Sequence, residues 1–357
     1  MPLDPAPRRI LAVKLSSFGD VVHATPALRA LRRAYPHADI RLAIERRWAG
    51  VLRSFPYVDG LVEASSRTRL TPSYLVEVRR ALASVPGRLD LAIDFQGTRR
   101  SAVWIYASRA RVMAGRGSPR PLWQAALRPD LSRHAVEVCA EICRSVAAPV
   151  DDLAPELRTA PHDEERVARF LDGAGIPPEG FVLLNPFSRW ESKGLDVATA
   201  AELAIRIATA TGERVVLTGG PDDALRAEAV VRCAGARVVS LAGELALPEA
   251  LCLFRRARLM VSCDSGPMHA AAALGTPVVA LFGPTQPERT GPWGPDHVVV
   301  QAARPDDHHA YRTDRARRYI RALTVEAMAA TVADALARSV ERTASDDTSA
   351  GQRAYAR

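Results

Sequence analysis

The 357-residue chain is predicted to be an α/β protein built from two Rossmann-like domains. Three observations predict this. Short apolar runs alternate with amphipathic segments from residue 10 to residue 282, the pattern of parallel strands covered by helices on both faces. The alternation is interrupted once, by the Pro/Asp-rich stretch APVDDLAPELRTAP (148–161), whose composition is that of a linker. The length also allows two domains, each able to bury its own core.

In the first half, residues 10–15 are a buried strand candidate, followed by SSFGD and an amphipathic helix over 20–34. A second strand is expected at 39–44, with helical patterns at 48–54 and 73–83. The apolar run 90–95 ends in QGTRRS and leads into a helix to 108, and 133–146 has helical periodicity. These elements fall in a domain spanning 1–155. A second domain, 160–322, repeats the alternation. It has helices at 164–173, 197–210, 224–233 and 247–254, and strands at 181–185, 214–218, 237–240, 258–262 and 277–282. A terminal helix is expected over 323–340, and 341–357 has the composition of a disordered tail. Open parallel sheets bind ligands beyond their strand carboxyl ends, so two such domains facing each other would share a cleft.

Apolar content of 48% and charged content of 25% are ordinary for a globular chain, and no apolar run is long enough to span a bilayer. MPLDPAPRR leads straight into a strand-like segment, so neither a signal peptide nor a transmembrane helix is expected. The five cysteines (Cys139, Cys143, Cys233, Cys252, Cys263) include no C-x-x-C pair, which fits buried free thiols in a reducing cytoplasm. The net charge of +8 is unevenly spread: residues 1–150 carry 24 Lys+Arg against 12 Asp+Glu, the remainder 24 against 28. A basic half calls for an acidic partner such as phosphorylated lipid, an anionic membrane surface or an acidic sugar; the plainer reading is an arginine-rich solvated surface. Nucleic acid is disfavoured, because no recognition motif is present and aromatics are only 6%.

Four loops fall at predicted strand ends, where this fold places a site. In KLSSFGDVVHATP (14–26), Asp20 opens the following helix, either as its N-cap or as a general base whose pKa is raised by partial desolvation. NPFSRWESKGLD (185–196) combines Ser188, Arg189 and Lys193 after a strand, as a diphosphate site needs. In LTGGPDD (217–223), Asp222 or Asp223 either bonds ribose hydroxyls or caps the next helix. The fourth loop lies in VSCDSGPMHAAAALGTPVVALFGPTQPERTGPWG (261–294). Here Asp264, Ser265 and Gly266 lie at a helix N-terminus beyond a strand. Free N–H groups and the helix dipole favour an anion there, although an Asp-capped helix is the plainer reading. His269 follows on the same helix, as a packed core residue or a ligand of that anion.

Lys14 and Lys193 are the only lysines, and both fall in strand-end loops, where a compact ammonium suits a point contact to phosphate. There is no D-x-D pair and no clustered His/Cys set, and His308–His309 is a lone tandem pair, so neither a metal nor a cofactor is expected. Charge on a diphosphate leaving group would then be met by Lys193, the helix dipole and backbone N–H groups.

KLSSFGDVVHATPAL, DFQGTRRSA, SRWESKGLD, LTGGPDD and SCDSGPMHAAAALGTPVVALFGPTQPERTGPWG resemble the signature segments of family 9 glycosyltransferases, in the right order over 10–335. That family comprises the ADP-heptose:lipopolysaccharide heptosyltransferases and their relatives, and the first segment resembles heptosyltransferase I more than II. The resemblance implies a GT-B fold, with acceptor on the N-terminal domain and nucleotide sugar on the C-terminal one. It further implies inverting, metal-independent transfer of heptose from ADP-heptose to the Kdo-lipid A inner core in lipopolysaccharide biosynthesis. By position, it makes Asp20 the catalytic base and Lys193 the lysine that neutralises the donor diphosphate, with Ser188 and Arg189 in the same donor loop. Asp223 matches a carboxylate on the adenosine ribose, where the usual residue is Glu, and Leu245 falls where backbone meets adenine. Asp264, Ser265, Gly266 and His269 match the donor-binding turn and helix.

One departure stands out. After Lys193 the family usually has a bulky residue and Trp-Pro, whereas this chain has Gly194-Leu195-Asp196, which puts donor-loop conformation and sugar identity in question. The implied acceptor carries Kdo carboxylates and lipid A phosphates, suits the basic first half, and places the enzyme in the cytoplasm, peripherally on the inner face of the cytoplasmic membrane. Arg99 and Arg100 are the acceptor-side candidates, with solvated surface as the alternative. The rival readings are a family member with another sugar or acceptor, and a nucleotide-sugar 2-epimerase, which would need no acceptor site.

Overall fold

The computed structural model describes residues 5–66, 69–116, 125–127, 129–302 and 310–354, and of 125–127, 310 and 340–354 the backbone alone. The chain divides into two compact units, Met1–Ala160 and Pro161–Arg357.

The first unit runs β1 (Arg9–Val13), α1 (Phe18–His23), α2 (Thr25–Ala34), β2 (Asp39–Glu45), β3 (Gly60–Ala64), α3 (Pro72–Ala83), β4 (Leu91–Asp94), α4 (Arg99–Ser108), β5 (Val112–Arg116), β6 (Ala125–Leu127) and α5 (Ala135–Arg144). Its strands form one parallel sheet in the order β3-β2-β1-β4-β5-β6. The second unit runs α6 (Pro161–Gly173), β7 (Val182–Asn185), α7 (Val197–Thr211), β8 (Val215–Leu217), α8 (Ala224–Ala234), β9 (Val238–Ser240), α9 (Leu247–Arg256), β10 (Leu259–Cys263), α10 (Gly266–Ala273), β11 (Val278–Phe282), α11 (Pro287–Thr290), β12 (Val298–Gln301), α12 (Arg317–Arg321) and α13 (Val325–Ala354). Its parallel sheet has the order β12-β11-β10-β7-β8-β9, the same path as the first.

Each sheet reverses its strand order once, at β1/β4 and at β7/β10. Chain leaving adjacent strands at such a point diverges to opposite faces and opens a crevice beyond the carboxyl ends. The central strands β1, β4, β7, β10 and β11 are buried almost throughout, because helices cover both faces of the sheet.

The differences from the sequence reading have local causes. The single helix expected over 20–34 is two helices, since Pro26 stands in the first turn of α2 and has no N–H to continue α1. The helical pattern at 48–54 is a short 3₁₀ stretch, Arg46–Leu52. Strands β3, β5, β6 and β12 were not legible; three of them are sheet edges and need no continuous apolar run. The helix expected to end at 340 continues as α13 to Ala354, through most of the segment whose composition is that of a disordered tail. No proline interrupts it, and polar composition records solvation rather than backbone state. Cys233 is exposed, unlike the other four thiols.

The Pro/Asp-rich stretch is tied down rather than free. Buried Arg29 of α2 pairs with Asp152 (2.7 Å) and Glu156 (3.1 Å) and donates to the carbonyls of Asp152 and Ala154. A buried guanidinium needs such partners, and the linker supplies them. Among the described residues no helix is long and apolar enough to cross a membrane.

Candidate active site

In the second unit the β7/β10 crevice is built from two strand ends. β7 finishes on Asn185, which is buried and donates from Nδ2 to the hydroxyls of Ser262 (3.1 Å) and Ser265 (2.8 Å). Ser265 is the N-cap residue of α10, Gly266 and Pro267 open the helix, and Asp264 stands just before the cap. The turn is therefore braced from the neighbouring strand. Its free N–H groups and the positive end of α10 face outward from a strand carboxyl end, the arrangement that favours an anion.

Asp264 is 5% exposed and accepts hydrogen bonds from Lys193 Nζ (2.7 Å) and Thr285 Oγ1 (2.6 Å). Burial pushes its carboxyl up, but the Lys193 charge, the nearby His269 and the two hydrogen bonds together outweigh burial and hold it below the usual aspartate range. His269 is buried on α10, so it is both a packed residue and an electrostatic neighbour of the turn. Lys193 closes the short 3₁₀ turn Glu191–Lys193, and its ammonium also lies 4.9 Å from the ring centroid of Tyr311. Ser188 is half-buried at the start of the same loop and Arg189 is exposed, with its guanidinium 6.0 Å from the Trp190 ring.

The unusual Gly194-Leu195-Asp196 stretch is closed by its own contacts. Asp196 N-caps α7 through the Thr199 N–H (2.9 Å), and Leu195 is buried with its N–H on the Pro186 carbonyl (2.8 Å). A Cβ on Gly194 would come within 3.1 Å of the Ser188 nitrogen, so the small residue lets the loop pass close to its own beginning.

Asp223 and Leu245 follow the neighbouring strands β8 and β9. The Asp223 carboxylate accepts from the Gly220 N–H (3.0 Å) and pairs with Arg226, so it closes the turn that leads into α8. Gly219 is required there, because a Cβ would meet that of Asp223 at 2.8 Å. Asp222 is exposed, and Leu245 is half-buried in the loop before α9.

In the first unit, α1 begins at Phe18 with Ser17 as its N-cap residue, and Asp20 is the third residue of the helix. The expectation that Asp20 opens the helix is thus corrected: the helix starts two residues earlier. One Asp20 oxygen accepts from the Ser17 N–H (2.9 Å) and hydroxyl (2.8 Å), and the other lies 3.5 Å from Lys14 Nζ. The side chain remains 42% exposed. Buried Lys14 also donates to the Phe95 carbonyl (3.3 Å), and the Ser16 N–H donates to Gln96 Oε1 (3.1 Å), so the end of β4 steadies the loop after β1.

Asp94, fully buried at the end of β4, accepts from the Gln96 N–H, the Gly97 N–H and the Ser101 hydroxyl, each at 2.9 Å. Burial dominates over these bonds and over Lys14, and raises its pKa. Arg99 and Arg100 diverge. Arg99 is exposed, whereas Arg100 turns inward to pair with buried Glu45 and the Ser65 carbonyl, 5.7 Å from the Tyr74 ring. The charge of Arg100 is thus paired inside the unit, whereas Arg99 stands at its surface.

Sequence reading missed Asn185, Thr285, Gln96 and Glu45. Asn185 and Gln96 each end or follow a strand and carried a positional signal; Glu45 and Thr285 act across long sequence separations and carried none. Among the described residues no group of three or more His, Cys, Asp or Glu could hold a metal ion, and His308–His309 lies outside those residues. The second unit thus places one lysine on a buried aspartate just before a helix N-terminus, an arrangement compatible with an anion. The first places a partly exposed carboxylate beside a buried ammonium.

The family described as glycosyltransferase family 9 (heptosyltransferase) matches over residues 77–320. The chain is 30% identical to lipopolysaccharide heptosyltransferase 1 of Pseudomonas aeruginosa, over 81% of this chain and 82% of that protein. It is 28% identical to lipopolysaccharide heptosyltransferase 3 of Escherichia coli, over 80% of this chain and 86% of that protein. The solved structure of the E. coli heptosyltransferase WaaC with ADP superposes with a TM-score of 0.71 at 21% identity, covering 92% of this chain and 99% of that one. The two parallel-sheet units and the match over most of the chain make this protein a glycosyltransferase, a member of glycosyltransferase family 9.

Proposed function

We propose that the enzyme transfers a heptose from ADP-heptose to the Kdo-lipid A inner core during lipopolysaccharide core biosynthesis. The observation that carries this reading is the turn at β7/β10, where Lys193 reaches Asp264 at the N-terminus of α10, in a chain whose family transfers sugars. The names of the two relatives support the heptose and the lipopolysaccharide acceptor, and the ADP held by the solved relative supports the nucleotide.

On this reading the donor diphosphate sits on the α10 N–H groups and Lys193, with the ribose toward Asp223, the adenine toward the backbone at Leu245, and Ser188, Arg189 and His269 around the donor. Asp20 takes the proton of the acceptor hydroxyl as its oxygen attacks the sugar C1. The C1–O bond to the diphosphate breaks, ADP leaves from the opposite face, and the anomeric centre inverts. Lys193, the helix dipole and the N–H groups take up the charge on ADP, so no metal is called for. The basic first unit, with Arg99 at its surface, suits an acidic lipid-linked acceptor at an anionic membrane face.

A second reading is another lipopolysaccharide acceptor, such as a core that already carries heptose; the relatives are named as two different lipopolysaccharide heptosyltransferases, 1 and 3. One assay separates the two. ADP release is measured with Kdo-lipid A and with heptosylated core as acceptors, after a thermal-shift screen of ADP-, UDP- and GDP-sugars. Stabilisation by ADP-heptose and ADP release dependent on Kdo-lipid A are expected. ADP release without any acceptor, or stabilisation by another nucleotide sugar only, would sink the reading.

A further inference from the structure

We propose that Trp190 and Tyr311 form a stacking platform for the sugar of the nucleotide-sugar donor, on the side of Lys193 away from the nucleoside. An exposed indole by itself carries no message. This one is 39% exposed and is met by a second ring. Tyr311 meets it in an edge-to-face arrangement, with centroids 5.5 Å apart and planes at 75°. The same Tyr311 ring takes the Lys193 ammonium at 4.9 Å, so the indole stands one ring away from the lysine of the anion site.

The two segments that carry these rings lie far apart in sequence yet are tied twice more. The Ser192 hydroxyl donates to the Tyr311 carbonyl, and Glu191 pairs with Arg317. The Arg189 guanidinium lies over the Trp190 ring at 6.0 Å and that of Arg312 over the Tyr311 ring at 5.5 Å; among the described residues neither is paired with a carboxylate. The surface is therefore preorganised, with the exposed part of the indole for the C–H side of a pyranose and guanidinium donors over the rings for hydroxyls.

Topology says which part of the donor reaches it. Asp223 and Leu245 follow β8 and β9, on one side of the β7/β10 crevice, while Tyr311 follows β12, the strand at the opposite edge. A nucleoside diphosphate laid from β9 to the crevice directs whatever is attached to its terminal phosphate away from β8. This placement rests on the proposed reading that Lys193 and the α10 turn hold the diphosphate.

The test is binding of ADP and of ADP-heptose, without acceptor, to wild-type enzyme and to Trp190→Ala, Trp190→Phe and Tyr311→Leu. Trp190→Ala is expected to leave ADP affinity within about twofold and to weaken ADP-heptose roughly tenfold, with Trp190→Phe recovering most of the loss and Tyr311→Leu intermediate. Equal losses for both ligands would mean that the substitution disturbs the loop, and would overturn the platform. So would unchanged affinity for both, or an effect seen only on acceptor KM. Failure of wild-type enzyme to bind ADP would instead overturn the donor-site reading, and the platform with it.

Discussion

Both units carry six parallel strands in the same order, and both place a buried aspartate where the fourth strand ends, Asp94 in the first and Asp264 in the second. Their electrostatics are opposite. In the second unit the loop after the first strand delivers Lys193 to 2.7 Å from Asp264, which keeps that carboxyl ionised despite burial. In the first unit the corresponding loop directs Lys14 to Asp20 and to the Phe95 carbonyl, and Asp94 is left with two backbone N–H groups and one hydroxyl, so burial prevails. The shared fold supplies the crevice; the direction taken by one lysine decides which carboxylate it pairs with. On the proposed reading, the partly exposed Asp20 is the functional carboxylate of the first unit, and Asp264 of the second is a counter-ion to Lys193.

The sharpest way to break this contrast is at Asp20. Asp20→Asn is expected to lower kcat by about 10²–10⁴ while ADP-heptose affinity, measured by calorimetry, stays within about twofold; full turnover would remove Asp20 from the base role. Lys193→Ala should follow, lowering kcat/KM by about 10²–10³ through lost stabilisation of the departing diphosphate. Lys14→Met, by contrast, should change turnover without changing ADP affinity, and equal effects of the two lysines on ADP binding would erase the distinction between the units.

Stability offers a smaller effect. In urea unfolding, Asp264→Asn should cost about 3 kcal/mol, because it leaves a largely buried ammonium without its partner. Asp94→Asn should cost about 1 kcal/mol, since an amide retains one acceptor for the loop. A larger cost at Asp94 would mean that its carboxyl is ionised and essential to the turn.

The smallest effect concerns acid, and its sign differs between the units. The depressed pKa of Asp264 contributes stability that is complete above the unfolded aspartate value, about 3.9, and is lost as pH falls through the lower folded value. The raised pKa of Asp94 costs stability at neutral pH, and that cost fades as pH falls through the raised value towards the unfolded one. Unfolding followed against pH should therefore show that Asp264→Asn flattens the acid-side loss and that Asp94→Asn removes a partial gain. The same slope for both variants would show that the two aspartates are equivalent.

The legible parts of the site were the local ones. Asp264-Ser265-Gly266 could be placed at a helix start because strand end, small polar turn and Pro267 follow one another within a few residues. Lys193 and Asp223 were legible as strand-end loop residues for the same reason. Asp20 was located, but its place inside the helix was not, because Ser17 takes the N-cap position and shifts the start upstream. The pairing of Arg100 was not legible because its partner, Glu45, lies 55 residues away and gives no local signal. Edge strands such as β12 escaped because a half-exposed strand has no need of the apolar run that marked β7, β10 and β11.

The order of residues by itself determined the alternation of strands and helices, the two-unit division and the presence of charged groups at strand ends, since each depends on periodicity and turn chemistry within short windows. Only the tertiary structure decided which carboxylate keeps a lysine, which arginine faces solvent and which aromatic stands beside the anion site. Lys193 and Asp264 are 71 residues apart in the chain. The Coulomb and hydrogen-bond energies that set their states act over a few ångströms, and those distances exist only once β7 and β10 lie side by side.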